Sequence, residues 1–114
     1  PTPFSGSLRM SGGDASIEEM IASTERGILV TRFWYIRPVN ARTLLYTGLT
    51  RDGTFWIENG RIARAIRNMR FNESPLFMLN KLDAIGRPIR LGDGLVMPAL
   101  KVRDFTFSSL SDAV

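Results

Sequence analysis

The stretch TFWIENGRIARAI, residues 54–66, decides the fold because it predicts a β-hairpin. Asn59-Gly60 follows the apolar and aromatic segment 54–58 and suits a type I′ turn, in which both central residues adopt a positive φ. Residues 61–71 are ambiguous, since isoleucine and methionine recur there at helical spacing. We interpret them as a strand because the turn pairs them with 54–58, and a basic amphipathic helix is the alternative.

Further strands are predicted on both sides of this hairpin. Residues 28–36, ILVTRFWYI, are β-branched and aromatic, and they are apolar on both alternating faces except at Thr31 and Arg32. This pattern is typical of a strand that is covered on both sides. Two other strands are predicted at 43–48 and 99–107.

A first helix is predicted at 17–25. Ser16 and Glu19 have the S-x-x-E spacing of a capping box, in which each side chain bonds the backbone N–H of the other residue. Gly27 then occupies the position at which glycine ends many helices.

A second helix is predicted at 75–85. Ser74 is suited to the N-cap and Pro75 to the first helical position, and Gly86 is suited to the end. The buried stripe of this helix is expected to contain Leu76, Leu79 and Leu82, with Phe77 beside them.

The order of helix, hairpin-connected strands, helix and further strands predicts an α+β fold with a mostly antiparallel sheet. Residues 1–13, rich in Gly, Ser and Pro, predict an extended segment that leads into the domain, with a short strand near 4–10. The length of 114 residues and the hydrophobic fraction of 44% suit one domain, 1–114, with its own core. No apolar run of about 18 residues is present to span a membrane.

Composition narrows the possible chemistry. The chain has no cysteine and no histidine, which excludes disulfides, thiol nucleophiles, a Ser-His-Asp triad and a zinc site of His and Cys within these residues. The formal net charge is +4, with arginine supplying most of the basic residues. A charge of this size identifies no partner.

One candidate site is a ladder of arginines that could neutralise phosphates while aromatic rings stack on single-stranded nucleic acid. The residues are Arg61, Arg64, Arg67 and Arg70, together with Trp34, Tyr35, Phe55 and Trp56. Core packing is the commoner role of aromatic side chains in such apolar strands.

Two further candidates have simple structural interpretations. Arg51-Asp52 with Glu58 could supply a carboxylate pair for acid–base chemistry, although turn residues and a solvated strand end are commoner. The Gly-rich loop 92–94 is not followed by a helix that would present its N-terminus to a phosphate. Asp93-Gly94 is more simply a hairpin turn, and the residues alone therefore predict an α+β module without identifying its function.

Four segments, taken in order and spacing, carry a family resemblance: ERGILVT at 25–31, IENGRI at 57–62, RFNESP at 70–75 and PALKV at 98–102. Together they resemble the C-terminal domain of the TldD/PmbA family. These bacterial and archaeal proteins were formerly called modulators of DNA gyrase and include zinc metalloproteases. The resemblance covers nearly the whole chain and implies that residues 1–114 are the C-terminal part of a larger protein.

The resemblance also implies where zinc is held. In the catalytic half of the family, a His-Glu-x-x-x-His motif upstream of this domain and a Cys in a Gly-rich loop before the final strand hold the metal. The corresponding loop here, RLGDGLV at 90–96, has no Cys, and Asp93 is its one plausible oxygen ligand. The resemblance therefore implies no catalytic or metal-binding residue in this chain. It favours the non-catalytic PmbA-like half, with zinc in the full-length protein or its partner subunit; a zinc-using parent is the alternative.

The resemblance further implies a cytoplasmic protein in the metal-dependent proteolysis of unfolded peptides, paired with a homologous TldD-type subunit. This domain would wall the substrate chamber and offer sheet edges to extended peptides. Because 28–36 and 54–58 carry more apolar residues than one small sheet face needs, part of them is expected to contact another domain or subunit. The alternative is a stand-alone module that binds nucleic acid or an acidic partner through the Arg-rich segment 61–70.

Overall fold

The structure, a computed structural model, describes residues 8–90 and 95–110. The strands are β1 (Leu8–Arg9), β2 (Arg26–Val30), β3 (Phe33–Asn40), β4 (Leu45–Thr50), β5 (Thr54–Glu58), β6 (Arg61–Ile66), β7 (Met69–Glu73), β8 (Leu82–Ile85), β9 (Ile89–Arg90), β10 (Leu95–Met97), β11 (Leu100–Val102) and β12 (Phe107–Leu110). The helices are α1 (Ile17–Ala22) and α2 (Pro75–Leu79). Among the described residues, neither helix is long and apolar enough to cross a membrane.

The strands form four small sheets, which supports the predicted α+β class. The largest has the order β12-β7-β4-β3, and a second has the order β2-β5-β6. Two smaller sheets have the orders β11-β8 and β1-β10-β9. Strand pairing is antiparallel except between β1 and β10, so the sheets are mostly antiparallel, as predicted.

A cluster of four phenylalanines packs on one face of the four-stranded sheet. Phe71 lies at its centre, with ring centroids 5.1 Å from Phe33 and 5.6 Å from Phe105, and Phe107 is 5.1 Å from Phe105. Gly48 pairs with Phe71, and a Cβ at Gly48 would lie 2.7 Å from the phenyl ring. Only glycine therefore lets the ring lie flat against β4. We call Phe33, Phe71, Phe105 and Phe107 the phenylalanine cluster.

A buried polar junction connects the four-stranded sheet to the β2-β5-β6 sheet. Thr50 and Thr54 are each 1% exposed, with their hydroxyl oxygens 2.8 Å apart. The Thr54 hydroxyl also lies 3.1 Å from Asn68 Oδ1, and the backbone N–H of Met69 donates to Thr50 Oγ1 at 2.9 Å. These bonds satisfy buried hydroxyls and fix the chain where it passes between the two sheets.

The predicted turn at Asn59-Gly60 is confirmed. Glu58 lies opposite Arg61 at the end of the β5–β6 pair, and Asn59 and Gly60 have φ of 50° and 78°. The backbone N–H of Gly60 donates to Thr24 O, so the turn also anchors the end of α1. The predicted boundaries of β5, 54–58, are also confirmed.

The first helix begins as predicted but is shorter than 17–25. Both capping-box bonds between Ser16 and Glu19 are present. At the other end, the hydroxyls of Ser23 and Thr24 both donate to Met20 O, which ends the helix before residue 25. Gly27 lies within β2 and does not cap the helix.

The prediction of one doubly covered strand at 28–36 is wrong. The strand is interrupted at Thr31, whose hydroxyl donates to Gly53 O at 2.8 Å. β2 and β3 consequently join different sheets, and every residue of β3 is exposed. The prediction at 43–48 is shifted, because Asn40 Oδ1 accepts bonds from the turn that follows β3, and β4 begins only at Leu45.

Residues 61–71 form strand structure as interpreted, but in two strands and not one. β6 belongs to the β2-β5-β6 sheet, whereas β7 is a central strand of the four-stranded sheet. Similarly, the predicted strand 99–107 is divided into β11 and β12, because Asp104 adopts a φ of 52° and the N–H of Arg103 bonds Lys81 O. The short strand expected near 4–10 is present as β1, and the part of that expectation before residue 8 lies outside the described residues.

The prediction of the second helix is wrong in its length and in the burial of its side chains. The Ser74 hydroxyl donates to Thr43 O and does not cap the helix, which ends at Leu79. Leu82 begins β8, which pairs with β11. Leu76, Phe77 and Leu79 are 54%, 62% and 45% exposed and form no buried stripe.

Substitution Gly60→Val should lower the free energy of unfolding by at least about 1 kcal/mol, because a β-branched residue resists positive φ. A Cβ there would also lie 2.7 Å from Ala22 O. Chemical denaturation measures the change. Ala63→Val, at an exposed position of the same hairpin, is the control and should shift stability by no more than about 0.5 kcal/mol. Equal stability of the two variants would contradict the turn assignment.

Candidate functional site

The face of the four-stranded sheet opposite the phenylalanine cluster carries arginines around one tryptophan. Cross-strand partners share a face of an antiparallel sheet. Trp34 pairs with Leu49 and Leu49 pairs with Arg70, while Arg37 pairs with Thr47. We call Arg32, Arg37, Arg51, Arg70 and Trp34 the arginine face.

The guanidinium groups of Arg32 and Arg51 lie over the Trp34 ring, with Cζ 4.9 Å and 4.4 Å from its centroid. Asp52 bridges both arginines, at 2.8 Å from Arg32 Nη1 and 3.5 Å from Arg51 Nε. Asp52 reaches this position from a left-handed backbone conformation with a φ of 63°. The indole, two guanidinium groups and one carboxylate thus form a connected cation–π and ion-pair cluster.

The arginine face has an excess of positive charge. Arg37 stacks over Tyr35 at 4.6 Å, and Arg70 Nη1 donates to the Thr47 hydroxyl at 3.3 Å. Among the described residues, these four guanidinium groups have the single carboxylate of Asp52 beside them, which leaves three positive charges uncompensated. A guanidinium presents planar N–H donors that match carboxylates and phosphates, so this face is suited to an anionic partner.

The strand β3 beside this face is an open sheet edge. It is the terminal strand in the order β12-β7-β4-β3, and no described strand pairs with its outer side. Its apolar side chains are exposed, with Tyr35, Ile36 and Val39 at 59%, 53% and 56%. The backbone N–H of Arg51 donates to Arg32 O, so the backbone polar groups of Arg32 point towards β4. Because these groups alternate in direction along a strand, the backbone N–H and C=O of Phe33 point outwards.

Two features limit pairing along β3. Tyr35 has a φ of 58°, where the register with β4 shifts, so the strand is bulged. Pro38 lacks an N–H and is confined to sheet edges and bulges. Such features protect edges from indiscriminate association. Pro38 limits the pairing stretch to 33–37, and the bulge at Tyr35 locally disrupts the ladder within it.

The arginine ladder predicted from sequence is divided between two sheets. Arg61 and Arg64 belong to β6, where Arg64 Cζ lies 5.7 Å from the Trp56 ring centroid, and Arg67 lies between strands. Arg70 is in β7 and contributes to the arginine face. Of the predicted aromatic residues, Phe55 and Trp56 lie half-buried in β5, away from Trp34 and Tyr35 in β3.

Sequence reasoning named Arg51 only beside Asp52 and Glu58, as part of a carboxylate pair. It missed Arg32 and Arg37 as site residues, because no regular spacing connects them with Arg51. They meet through the pairing of β3 with β4, which is non-local. One local signal for an exposed edge was available: Arg32 and Trp34 alternate in a segment that contains Pro38, and proline in sheets is confined to edges and bulges.

The proposed carboxylate pair is not formed. Asp52 is engaged with two arginines before β5, and Glu58 lies at the far end of that strand, roughly 20 Å along the chain. Asp93 and the loop 92–94 lie outside the described residues. No three carboxylates among the described residues gather as metal ligands, and the chain lacks His and Cys, so these residues do not fit a zinc centre.

Glu73 is a buried carboxylate and therefore a candidate catalytic group, but its hydrogen bonds indicate a structural role. It is 7% exposed and accepts bonds from Lys81 Nζ, Thr106 N and Ser74 N at 3.1, 3.1 and 3.2 Å. Burial raises the pKa of Glu73, but these bonds lower it more, so the pKa lies below the ordinary value of 4.5. All three donors stabilise the ionised form, and two of the bonds connect Glu73 at the end of β7 to Lys81 and to the segment before β12.

The chain is similar to one protein family and to several solved structures. The family model for the PmbA/TldA metallopeptidase C-terminal domain matches residues 1–109. No curated protein matches the chain.

Three solved structures share the fold. A candidate modulator of DNA gyrase from Bacteroides thetaiotaomicron is 31% identical with a TM-score of 0.78, over 91% of this chain and 23% of that one. A second, from Thermotoga maritima, is 20% identical with a TM-score of 0.78, over 90% and 24%. TldE from Thermococcus kodakarensis is 16% identical with a TM-score of 0.72, over 88% and 23%. The chain therefore spans about a quarter of the length of these structures.

The ionised Glu73 should stabilise the fold above the ordinary pKa of glutamate, and that contribution should fall as pH drops through the lowered pKa of the folded state. Glu73→Gln should cost about 1–3 kcal/mol at neutral pH, because Lys81 loses its charged partner. The difference from the wild type should shrink below about pH 4. Denaturation at several pH values measures it, with Glu58→Gln as the exposed control; a cost that does not vary with pH would contradict this role.

Proposed function

The chain belongs to the family of PmbA/TldA metallopeptidase C-terminal domains, and from that premise we propose that it acts in the metal-dependent proteolysis of unfolded peptides. It would do so in the cytoplasm, as the C-terminal domain of a larger TldD/PmbA-type protein paired with a homologous TldD-type subunit. The family match supports this role, and so does the fact that the chain covers only 23–24% of the solved structures that share its fold.

In this proposal the chain supplies no catalytic or metal-binding side chain. Its composition supports that division of labour, since it contains neither His nor Cys. The loop 90–96 lacks the Cys expected of the zinc-binding half, which favours the non-catalytic PmbA-like half. Zinc is then held by other parts of the full-length protein or by its partner subunit.

The domain's own task is to wall the substrate chamber and to present β3 to extended peptides. The exposure of all eight residues of β3, with its outer edge unpaired among the described residues, is the observation that carries this proposal. An extended peptide that adds to a sheet edge gains main-chain hydrogen bonds, whatever its sequence. That property suits a protein that handles unfolded chains.

Contact with other domains or subunits would cover the remaining apolar surface. Leu76, Phe77 and Leu79 of α2 are exposed, and the bond from Ser74 Oγ to Thr43 O holds this helix beside the β3–β4 turn. Exposed apolar side chains on neighbouring elements are typical of interaction surfaces. Nucleic-acid binding through 61–70 is not favoured, because the arginines of that segment are divided between two sheets.

If β3 is a contact surface, the 114-residue chain should self-associate between micromolar and millimolar concentration. Ile36→Lys with Val39→Lys should raise the dissociation constant at least about tenfold, because charge replaces exposed apolar contacts. Ile62→Lys, at a residue 49% exposed on β6, is the matched control and should leave association unchanged. Sedimentation velocity measures the association. A wild-type chain that stays monomeric throughout, or an equal effect of the control, would contradict the contact role.

A further inference from the structure

We propose that β3 and the arginine face together select extended peptides in which carboxylate side chains alternate with apolar ones. The inference rests on the proposed function of β3 as a peptide-pairing edge and adds the chemical class of peptide that it takes. It is based on the position of the unpaired edge of β3 beside arginine side chains whose positive charge is in excess.

The charge of the arginine face favours an acidic peptide. Within the described part of the chain it has three uncompensated positive charges, and no carboxylate there forms an ion pair with Arg37. The ion pair of Arg32 with Asp52 is half exposed, at 51% for each side chain. N–H groups of Arg32 and Arg37 therefore remain accessible to an incoming carboxylate, which a guanidinium binds through paired donors.

Side-chain alternation is the second argument. A peptide strand added beside β3 would place every second side chain on the arginine face and the others on the opposite face. On that opposite side, Phe33 and Ile36 are 41% and 53% exposed and apolar. A segment of alternating acidic and apolar residues therefore complements both faces, whereas a uniformly acidic segment complements only one.

The state of Trp34 argues against nucleic acid as the occupant. Single-stranded nucleic acid binds by stacking bases on exposed rings. Guanidinium groups already lie over the Trp34 ring, at 4.4 Å and 4.9 Å from its centroid, so a base that stacked there would compete with them. A carboxylate can bind the outer N–H groups of the same arginines without disturbing this stack.

The test is binding of short fluorescein-labelled peptides to the 114-residue chain, followed by fluorescence anisotropy. Three peptides alternate valine with glutamate, threonine or lysine, and a fourth is the glutamate peptide with alternate backbone amides N-methylated. The glutamate peptide should bind at least about tenfold more tightly than the threonine peptide, consistent with two or more ion pairs. The lysine peptide should bind more weakly than either, and N-methylation should abolish binding because it removes the edge hydrogen bonds.

Matched variants locate the charge selection. Arg37→Gln should weaken the glutamate peptide about fivefold and leave the threonine peptide unchanged, since one exposed ion pair contributes up to that factor. Arg64→Gln removes the same charge from an exposed position of β6 and should change neither affinity. An equal loss in both variants would mean non-specific attraction and would overturn the proposal.

The remaining outcomes separate this inference from the proposed function. Equal affinity for the glutamate and threonine peptides, with both lost on N-methylation, would overturn the acidic selection and leave the edge function intact. No binding of any peptide would contradict both. Tighter binding of a single-stranded oligonucleotide of matched charge, lost in Arg37→Gln, would overturn the peptide assignment in favour of nucleic acid.

Discussion

The fold depends on the packing of the phenylalanine cluster against Gly48. Phe71 can lie on β4 only because its neighbour there has no Cβ. The cluster extends from Phe33 in the edge strand to Phe107 in the opposite one, so a single apolar face holds all four strands together. Because a sheet with one buried face leaves its other face free, this packing is also what makes the arginine face available.

The two polar devices of the domain serve that arrangement. The Thr50–Thr54 junction links the two sheets through buried hydroxyl bonds, and Glu73 holds together the segments around the end of β7. Both are fully bonded and buried. Arg32, Arg37 and the strained residue Tyr35 instead lie in or beside the exposed edge strand β3. Stability and peptide contact therefore depend on largely different residues, with Phe33 shared between them. Substitutions at Thr50, Thr54 or Glu73 should leave the arginine face largely intact.

Local signals in the sequence predicted local structure well. The Asn59-Gly60 turn, the boundaries of β5 and the capping box of α1 were all predicted, because each depends on residues close together in the chain. The family resemblance was also correct and is supported over residues 1–109. The errors in strand division arise where the chain passes from one sheet to another, at 31–32, 67–68 and 103–106, since no local pattern marks that change.

Burial and the candidate site were the hardest features to predict. An apolar segment such as 28–36 has the same composition whether it is covered within the domain or exposed for a partner, so composition predicts a covered strand where β3 is exposed. For the same reason the prediction that Leu76 and Leu79 are buried is wrong. The arginine face is assembled by strand register, which brings Arg51 and Arg70 beside Trp34, and register is not encoded in the spacing of arginines.

Hydrogen exchange of the β3 amides, followed by NMR with and without a peptide of alternating glutamate and valine, tests the central claim most directly. The claim is that β3 is an open edge that pairs with extended peptides. The account predicts that, at a concentration below that of self-association, the Phe33 amide exchanges rapidly in the free chain while the amides of β4 and β7 exchange slowly, and that the peptide slows Phe33 selectively. A Phe33 amide that is already protected in the free chain, or one that the bound peptide leaves unprotected, would contradict the account.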